Sequence, residues 1–228
     1  MVNTSPVILI LGSGPNIGKH VAQAFAAKGY KVALASRSLK EEDSTADQVN
    51  ISSDFSDPES VIETFSKVKS LLGHPSVVVY NAAAVTLNDP KDPLSLALSD
   101  FNRDLIINTN SAFAAAQQAV LAFKELPESA SRTFIYTGNM TNITPVLPLL
   151  DLGVGKSATA HIIQSAAQAY ADQGFKFYYS DERKADGGPA NLAIDGEAHA
   201  ELYLQLAEGK SQGPWQQTFV KGVGYKQF

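Results

Sequence analysis

The chain has 228 residues, a net charge of −5 and no cysteine. The lack of cysteine excludes disulfides, thiolate catalysis and cysteine-ligated zinc, and the scattered Lys and Arg residues argue against a nucleic-acid surface. No apolar run approaches the roughly 20 residues that a membrane helix needs. We therefore expect a cytoplasmic protein that binds neither nucleic acid nor membrane and acts on a small molecule.

Strand and helix patterns alternate along the chain. Residues 7–11 are a short run of apolar, mostly branched residues, typical of a strand buried on both faces of a parallel sheet. Further strands are predicted at 31–35, 49–52, 77–80, 133–137, 175–179 and 218–221, and helices at 16–28, 57–72, 100–126, 156–173 and 197–208. Such alternation implies parallel pairing with right-handed crossovers. The sequence thus predicts one α/β domain over residues 1–228, with a Rossmann-type doubly wound parallel sheet of about seven strands and helices on both faces.

A glycine-containing loop joins the first strand to the first helix. It has the sequence Gly12-Ser13-Gly14-Pro15-Asn16-Ile17-Gly18. Glycines let a backbone approach a pyrophosphate closely, and a following helix N-terminus offers free N–H groups. A plain turn is the alternative, but the position after the first strand favours nucleotide binding. We predict that Gly12, Gly14, Asn16, Ile17 and Gly18 bind a dinucleotide.

The end of the second predicted strand bears on the choice of nucleotide. NAD sites usually place an acidic residue there, to bind the ribose hydroxyls. This chain instead has Ser36 and Arg37, and the donors of an arginine suit a 2′-phosphate. A solvated surface charge is the alternative for Arg37. The pattern favours NADP(H) over NAD(H).

Nearly the whole chain resembles the short-chain dehydrogenase/reductase family. The glycine loop matches that family's loop, with Asn16 where the middle glycine usually stands. The resemblance implies that Asp54 contacts adenine and that Asn81 and Ala82 line the cofactor site. It also implies that Asn108 is the asparagine of the active site.

The match fails at two catalytic positions. Asn139 stands where the family has its serine, and Leu152 stands where it has the tyrosine of Tyr-x-x-x-Lys, while Lys156 is retained. The chain is therefore similar to an atypical branch of the family that lacks the tyrosine and is associated with fungi. Leucine cannot transfer a proton. The family's lysine assists the tyrosine and also binds the nicotinamide ribose, and the second role does not need the tyrosine. Asn108, Asn139 and Lys156 are the catalytic candidates, although Lys156 can also be interpreted as a solvated residue that opens a helix.

Substrate contacts are expected beyond the carboxyl ends of the strands. The candidates are Thr141, Asp151, Tyr179, Asp181 and Arg183, and residues 186–196 occupy the place of the family's substrate lid. A solvated side chain or a helix cap is the alternative for Asp151. For Tyr179, Asp181 and Arg183, the alternative is a surface ion pair beside core tyrosines. Glu197, His199 and Glu201 are not predicted to hold a metal, since His199 falls on another side of the helix.

Three functions remain open at this stage. The first is an NADP(H)-dependent oxidoreductase acting on a small carbonyl or activated alkene with a non-standard proton donor. The second is a lyase, isomerase or cyclase that keeps the cofactor pocket without redox chemistry. The third is a non-catalytic NADP(H)-binding protein. The resemblance also implies a homodimer or homotetramer formed through the helices at 100–126 and 156–173.

Overall fold

A computed structural model describes residues 5–228. Eight strands form one sheet in the order β3-β2-β1-β4-β5-β6-β7-β8, and every neighbouring pair is parallel except β7 and β8. The strands are β1 (Val7–Leu11), β2 (Lys31–Ser36), β3 (Gln48–Ser52), β4 (Val77–Tyr80), β5 (Thr133–Thr137), β6 (Lys176–Arg183), β7 (Gln216–Val220) and β8 (Gly224–Tyr225). The expected Rossmann-type doubly wound α/β fold is thus confirmed, and the antiparallel strand β8 is an addition that the sequence did not predict.

Helices cover both faces of the sheet. They are α1 (Ile17–Ala27), α2 (Pro58–Leu71), α3 (Leu98–Leu105), α4 (Ser111–Lys124), α5 (Leu150–Ala169) and α6 (Gly196–Glu208). One core cluster includes side chains of α2, α4 and α5, and the other includes side chains of α1 and α6. The central strands β1 and β4 are buried at every residue, which explains their uninterrupted apolar sequences.

The strand order reverses between β1 and β4. The chain winds outward from β1 to β2 and β3, then returns to place β4 on the other side of β1. In open α/β sheets such a switch leaves a crevice at the carboxyl ends of the two strands. The glycine loop after β1 and the segment after β4 therefore meet at this crevice.

Local signals place the boundaries of α1 and α2 well. Asp57 caps α2 by accepting a hydrogen bond from the backbone N–H of Glu59, and Pro58 occupies its first turn. In α1 the buried residues Val21, Ala22 and Phe25 share one face. That helix is followed by Gly29, which takes a left-handed φ of 82°.

The single helix predicted at 100–126 is wrong. A π-helical segment, Ile106–Asn110, separates α3 from α4. Its backbone carbonyls accept side-chain hydrogen bonds: Ile107 from the Tyr80 hydroxyl (2.6 Å), and Asn108 from the hydroxyls of Tyr136 (3.1 Å) and Thr159 (2.8 Å). The hydroxyls that bind these carbonyls come from β4, β5 and α5, which are distant from the π segment in the sequence. The sequence of the segment itself therefore cannot predict the interruption of the helix.

Two other predicted boundaries are also wrong. Helix α5 begins at Leu150 rather than at 156, despite Gly153 and Gly155. A Cβ at Gly155 would lie 2.5 Å from the Cβ of Asn108, so glycine lets the helix pack against the π segment. Strand β6 continues to Arg183 because its last residues pair with β7. None of the helices in the described chain is both long and apolar enough to cross a membrane.

Candidate cofactor and substrate cleft

Two adjoining cavities occupy the crevice at the carboxyl ends of the strands. Their volumes are about 360 and 530 Å³, and both are lined by Gly14, Asn81 and Ala83. We call the smaller one the adenosine cavity and the larger one the catalytic cavity, after the ends of a dinucleotide that they would hold. The adenosine cavity is also lined by Gly12, Ser13, Ser36, Arg37, Ser38, Asp54, Phe55, Ala82 and Ile107. The catalytic cavity is also lined by Pro15, Asn16, Ile17, Ala84, Val85, Thr137, Gly138, Asn139, Leu152, Lys156, Asn191, Leu192 and Ile194.

The glycines of the loop have different tasks. Gly12 has a φ of 90°, and a Cβ there would lie 2.3 Å from the backbone nitrogen of Ala82. A Cβ at Gly18 would lie 2.8 Å from the Cα of Ser13, so this glycine serves the packing of α1 and lines neither cavity. At Gly14 a Cβ would meet nothing within 4 Å. The bare backbone of Gly14 therefore leaves an open cradle that suits a pyrophosphate.

The adenosine cavity has free polar groups for a ribose and its phosphate. The Ser36 hydroxyl is buried without a hydrogen-bond partner among the described residues. Arg37 is exposed at the rim. Asp54 accepts a hydrogen bond from the backbone N–H of Ser56 (3.0 Å), which is the main cause of the lowered pKa of its carboxyl group. These groups fit the adenosine end of NAD(P)(H).

Asn81 and Asn108 fix the segment that follows β4. The Asn81 side chain donates to the carbonyl of Gly12 (2.8 Å) and so ties this segment to the glycine loop. Asn108 is fully buried, donates to the carbonyl of Ala84 (2.7 Å) and accepts from its N–H (3.0 Å). Asn108 lines neither cavity, so it positions the cleft wall at Ala84 instead of facing a ligand.

Lys156 lies on the second turn of α5 and its side chain is only 3% exposed. The interpretation of Lys156 as a solvated helix opener is therefore wrong. Its Nζ donates to the carbonyl of Thr137 (2.8 Å) and lies 4.4 Å from the centre of the Tyr136 ring. Burial lowers the pKa of this amine to about 7, although Asp181 opposes the shift. Among residues 5–228, Lys156 is the one ionisable side chain that lines the catalytic cavity.

Asn139 and Leu152 also line the catalytic cavity. The Asn139 side-chain oxygen accepts from the N–H (3.0 Å) and the hydroxyl (2.6 Å) of Thr141, so its amide N–H group is what it can offer to a ligand. Thr141 is buried behind it and lines neither cavity. Leu152 contributes an apolar surface four residues before Lys156, on the same helix face.

Asp181 and Arg183 were expected beyond the sixth strand, which is wrong, because both are buried within β6 together with Tyr179. The Tyr179 hydroxyl donates to the carbonyl of Asn139 (2.7 Å) and so holds the turn after β5. Arg183 Nε donates to the carboxylate of Asp181 at 2.6 Å. This ion pair is buried, not at the surface, and none of the three residues lines the catalytic cavity.

Asp151 is fully buried and lines neither cavity. Its carboxyl group accepts from the N–H groups of Thr86 (2.8 Å) and Leu152 (2.6 Å) and contacts the carboxyl group of Asp104. Burial and the neighbouring Asp104 raise its pKa. Asp151 therefore fixes the start of α5 against the cleft wall and is out of a substrate's reach.

Several lining residues were not singled out in the sequence. Ala83, Ala84 and Val85 form one wall, and Leu192 and Ile194 contribute from residues 186–196, which we call the lid. The only sequence signal for them was their place in segments that follow β4 and β6. In the described part of the chain, no group of three or more His, Cys, Asp or Glu residues is arranged to bind a metal.

Comparisons with known proteins agree with this architecture. A family model described as enoyl-(acyl carrier protein) reductase matches residues 12–179. The short chain dehydrogenase/reductase dmxR12 of Cryptosporiopsis sp. (strain 8999) is 50% identical over 99% of this chain and 96% of its own length.

Solved structures share the fold at low sequence identity. A short-chain dehydrogenase/reductase from Serratia marcescens aligns with a TM-score of 0.76 at 20% identity, over 96% of this chain and 97% of that one. BdcA in complex with NADPH aligns with a TM-score of 0.74 at 19% identity, over 99% and 97% of the two chains. Because the family model matches most of the chain and a relative is 50% identical over nearly all of it, this chain belongs to the short-chain dehydrogenase/reductase family.

Proposed function

We propose that this chain is an NADP(H)-dependent oxidoreductase for a small carbonyl or activated alkene, with Lys156 as the proton donor in place of the family's tyrosine. One observation carries the proposal. Lys156 is the one ionisable side chain, within residues 5–228, that lines the catalytic cavity. The position of the missing phenol is filled by Leu152, which cannot supply a proton.

The residues of the cleft divide the reaction between them. When bound, NADP(H) supplies or takes up a hydride. In the reducing direction, the Lys156 ammonium donates one proton to the substrate and becomes a neutral amine, which takes a proton back from solvent afterwards. Its lowered pKa, about 7, suits this task, because a general acid works best with a pKa near the working pH. The Asn139 amide N–H polarises the substrate oxygen, and Val85 and Leu152 give the cavity an apolar wall.

NADP(H) is the preferred nucleotide in this proposal. Arg37 and the unpartnered Ser36 hydroxyl support it, because both lie in the adenosine cavity where a 2′-phosphate would be bound. The NADPH complex of BdcA adds support from a protein of the same fold. The description of the matching family model as an enoyl reductase supports an activated alkene as one substrate class.

The first experiment is a calorimetric titration of the purified protein with NADPH and with NADH, followed by a screen of ketones, aldehydes and enones for loss of NADPH absorbance. We expect tighter binding of NADPH and turnover of at least one compound that depends on Lys156. Firm NADPH binding without turnover of any compound would count against the oxidoreductase and favour a cofactor-binding protein without catalysis.

The apolar surface at Leu152 favours a second candidate, a lyase, isomerase or cyclase that uses the cleft to orient a substrate. Such an enzyme would convert a substrate without any net change in NADPH absorbance. Product analysis by mass spectrometry during the same screen separates the two candidates, because reduction adds two hydrogen atoms to the product and isomerisation adds none.

We also propose that the chain forms a homodimer or homotetramer through α4 and α5. The two helices contribute most of the residues around an apolar groove of about 700 Å³, and Phe113 and Leu121 are about half exposed there. Sedimentation of the wild type and of a Leu121→Glu variant tests this, with Leu71→Glu as the control because Leu71 is equally exposed on α2. Dissociation of the Leu121 variant alone is expected, and a monomeric wild type would contradict the proposal.

A further inference from the structure

The glycine loop and the lid are directly connected. The Asn16 side-chain nitrogen donates to the backbone carbonyl of Ile194 at 3.0 Å. The two residues are far apart in sequence, and both line the catalytic cavity. The contact therefore joins the cofactor loop to the lid at the edge of the same cavity.

The side chain of Asn16 gives up its usual local role to make this contact. Asn16 is the N-cap residue of α1, where an asparagine normally accepts a hydrogen bond from the first turn of the helix. No such bond is formed here by its side chain. The residue also stands at the place where the resemblance expects glycine, which has no side chain to offer. The donor of Asn16 is thus directed to the lid.

The lid approaches α1 very closely beside this contact. A Cβ at Gly196 would lie 2.5 Å from Nδ1 of His20 and 2.6 Å from Oδ1 of Asn16. Only glycine fits there without displacing α1 or the lid. The absence of a side chain at Gly196 therefore permits the hydrogen bond between Asn16 and Ile194.

The charged end of β6 holds both ends of the lid. Near its start, Arg183 donates to the carbonyl of Gly187 at 2.9 Å. Near its end, the Glu182 carboxylate accepts from the N–H of Asp195 at 2.8 Å. The carbonyl of Ile194 and the N–H of Asp195 belong to one peptide group, so Asn16 holds from the glycine loop the same group that Glu182 holds from the sheet.

We propose that Asn16 is a latch that keeps the lid closed over the cofactor, so that the nucleotide leaves slowly between turnovers. Asn16 is a positioning residue in this role, because it acts through the lid. The inference rests on the proposed function, since it needs NADP(H) in the cleft. Loss of the latch loosens the lid and speeds release of the cofactor. Asn16→Gly also removes a side chain that lines the cofactor cleft, whereas Gly196→Ala leaves every residue of the glycine loop in place.

The test compares two variants that open the latch from opposite sides. Asn16→Gly removes the donor and installs the family's residue, and Gly196→Ala pushes the lid away while leaving the glycine loop intact. Lys19→Ala, at an exposed position of α1, is the matched control. The measurements are the rate of NADPH release in stopped-flow displacement by excess NADP⁺, and hydrogen exchange of the lid amides with and without NADPH.

We expect both latch variants to release NADPH roughly three- to tenfold faster, as the loss of one hydrogen bond allows, and to exchange the amides of residues 191–195 faster. The control should behave as wild type. Unchanged release and exchange in both variants would overturn the latch while leaving the cofactor site standing. Failure of the wild type to bind NADPH would instead overturn the proposed function and the latch with it.

Discussion

The two halves of the cleft differ in how their polar groups are used. In the adenosine cavity, Arg37 and Asp54 are exposed and the buried hydroxyl of Ser36 has no hydrogen-bond partner in the described chain. In the catalytic cavity, Lys156 is buried against the carbonyl of Thr137 and the ring of Tyr136. The side-chain oxygen of Asn139 accepts a hydrogen bond from the hydroxyl of Thr141. The polar groups of the adenosine cavity are therefore available to a ligand, whereas those of the catalytic cavity are largely hydrogen-bonded within the protein.

This difference is in line with the proposal that the chain keeps the nucleotide site of its family and uses another proton donor. Binding of a phosphate and ribose needs free donors at a rim, and these can be supplied by a few loop residues. Proton transfer needs one group of suitable pKa in a cavity that limits access of water. With Leu152 at the tyrosine position, the function proposed above assigns that task to the amine of Lys156, whose pKa burial lowers to about 7.

The largest effect should come from Lys156→Met. Loss of the proton donor is expected to lower kcat for reduction by at least a hundredfold, while NADPH binding weakens far less. Lys156→Arg is the matched control, because a guanidinium keeps the charge but does not release its proton. Steady-state kinetics and calorimetry separate the two effects, and a Lys156→Arg variant with full activity would show that only the charge matters.

Arg37→Ala should affect the other half of the cleft. Removal of a charged donor from a phosphate is expected to weaken NADPH binding by about tenfold or more, with NADH binding and kcat nearly unchanged. Lys40→Ala removes an exposed cation nearby and serves as the control. If both nucleotides weakened equally, Arg37 would not be the residue that distinguishes them.

Leu152→Tyr would restore the family's pair on one face of α5. The new phenol would lie four residues before Lys156 and line the same cavity. We expect about a tenfold gain in kcat/KM for carbonyl reduction, measured against Leu152→Phe, which adds the ring without the hydroxyl. Equal rates for the two variants would mean that the cavity does not bring a substrate oxygen to this position.

The smallest expected effect is the change in kcat/KM for reduction with pH near neutrality. Burial lowers the pKa of Lys156 to about 7, so the ammonium that donates the proton is fully present below that pH and is lost above it. The value of kcat/KM for reduction should roughly halve between pH 6 and pH 7, fall about fivefold between pH 7 and pH 8, and approach a tenfold fall per unit above pH 8. A flat profile across this range would exclude the lysine as the donor.

Much of the fold could be read from the sequence because its signals are local. The apolar run of β1 and the Asp57-Pro58 cap of α2 act within a few residues, and each formed the predicted element. The glycine loop was equally readable, since the turn at Gly12 depends on local backbone geometry, with a φ of 90°.

The rest depended on residues far apart in the chain. The π segment at Asn108 binds hydroxyls from β4, β5 and α5, and β6 runs on to Arg183 because it pairs with β7 and buries its own ion pair with Asp181. No pattern within a short stretch of sequence carries that information.

The sequence by itself therefore determined the order of most strands and helices and the place of the glycine loop between β1 and α1. Only the tertiary structure decided which polar residues face the cleft. It buried Asp151, Asp181 and Arg183 among protein partners and brought the amine of Lys156 to the cavity. The physical reason is that a side chain's burial, and with it its pKa and its freedom to meet a ligand, depends on the elements packed around it.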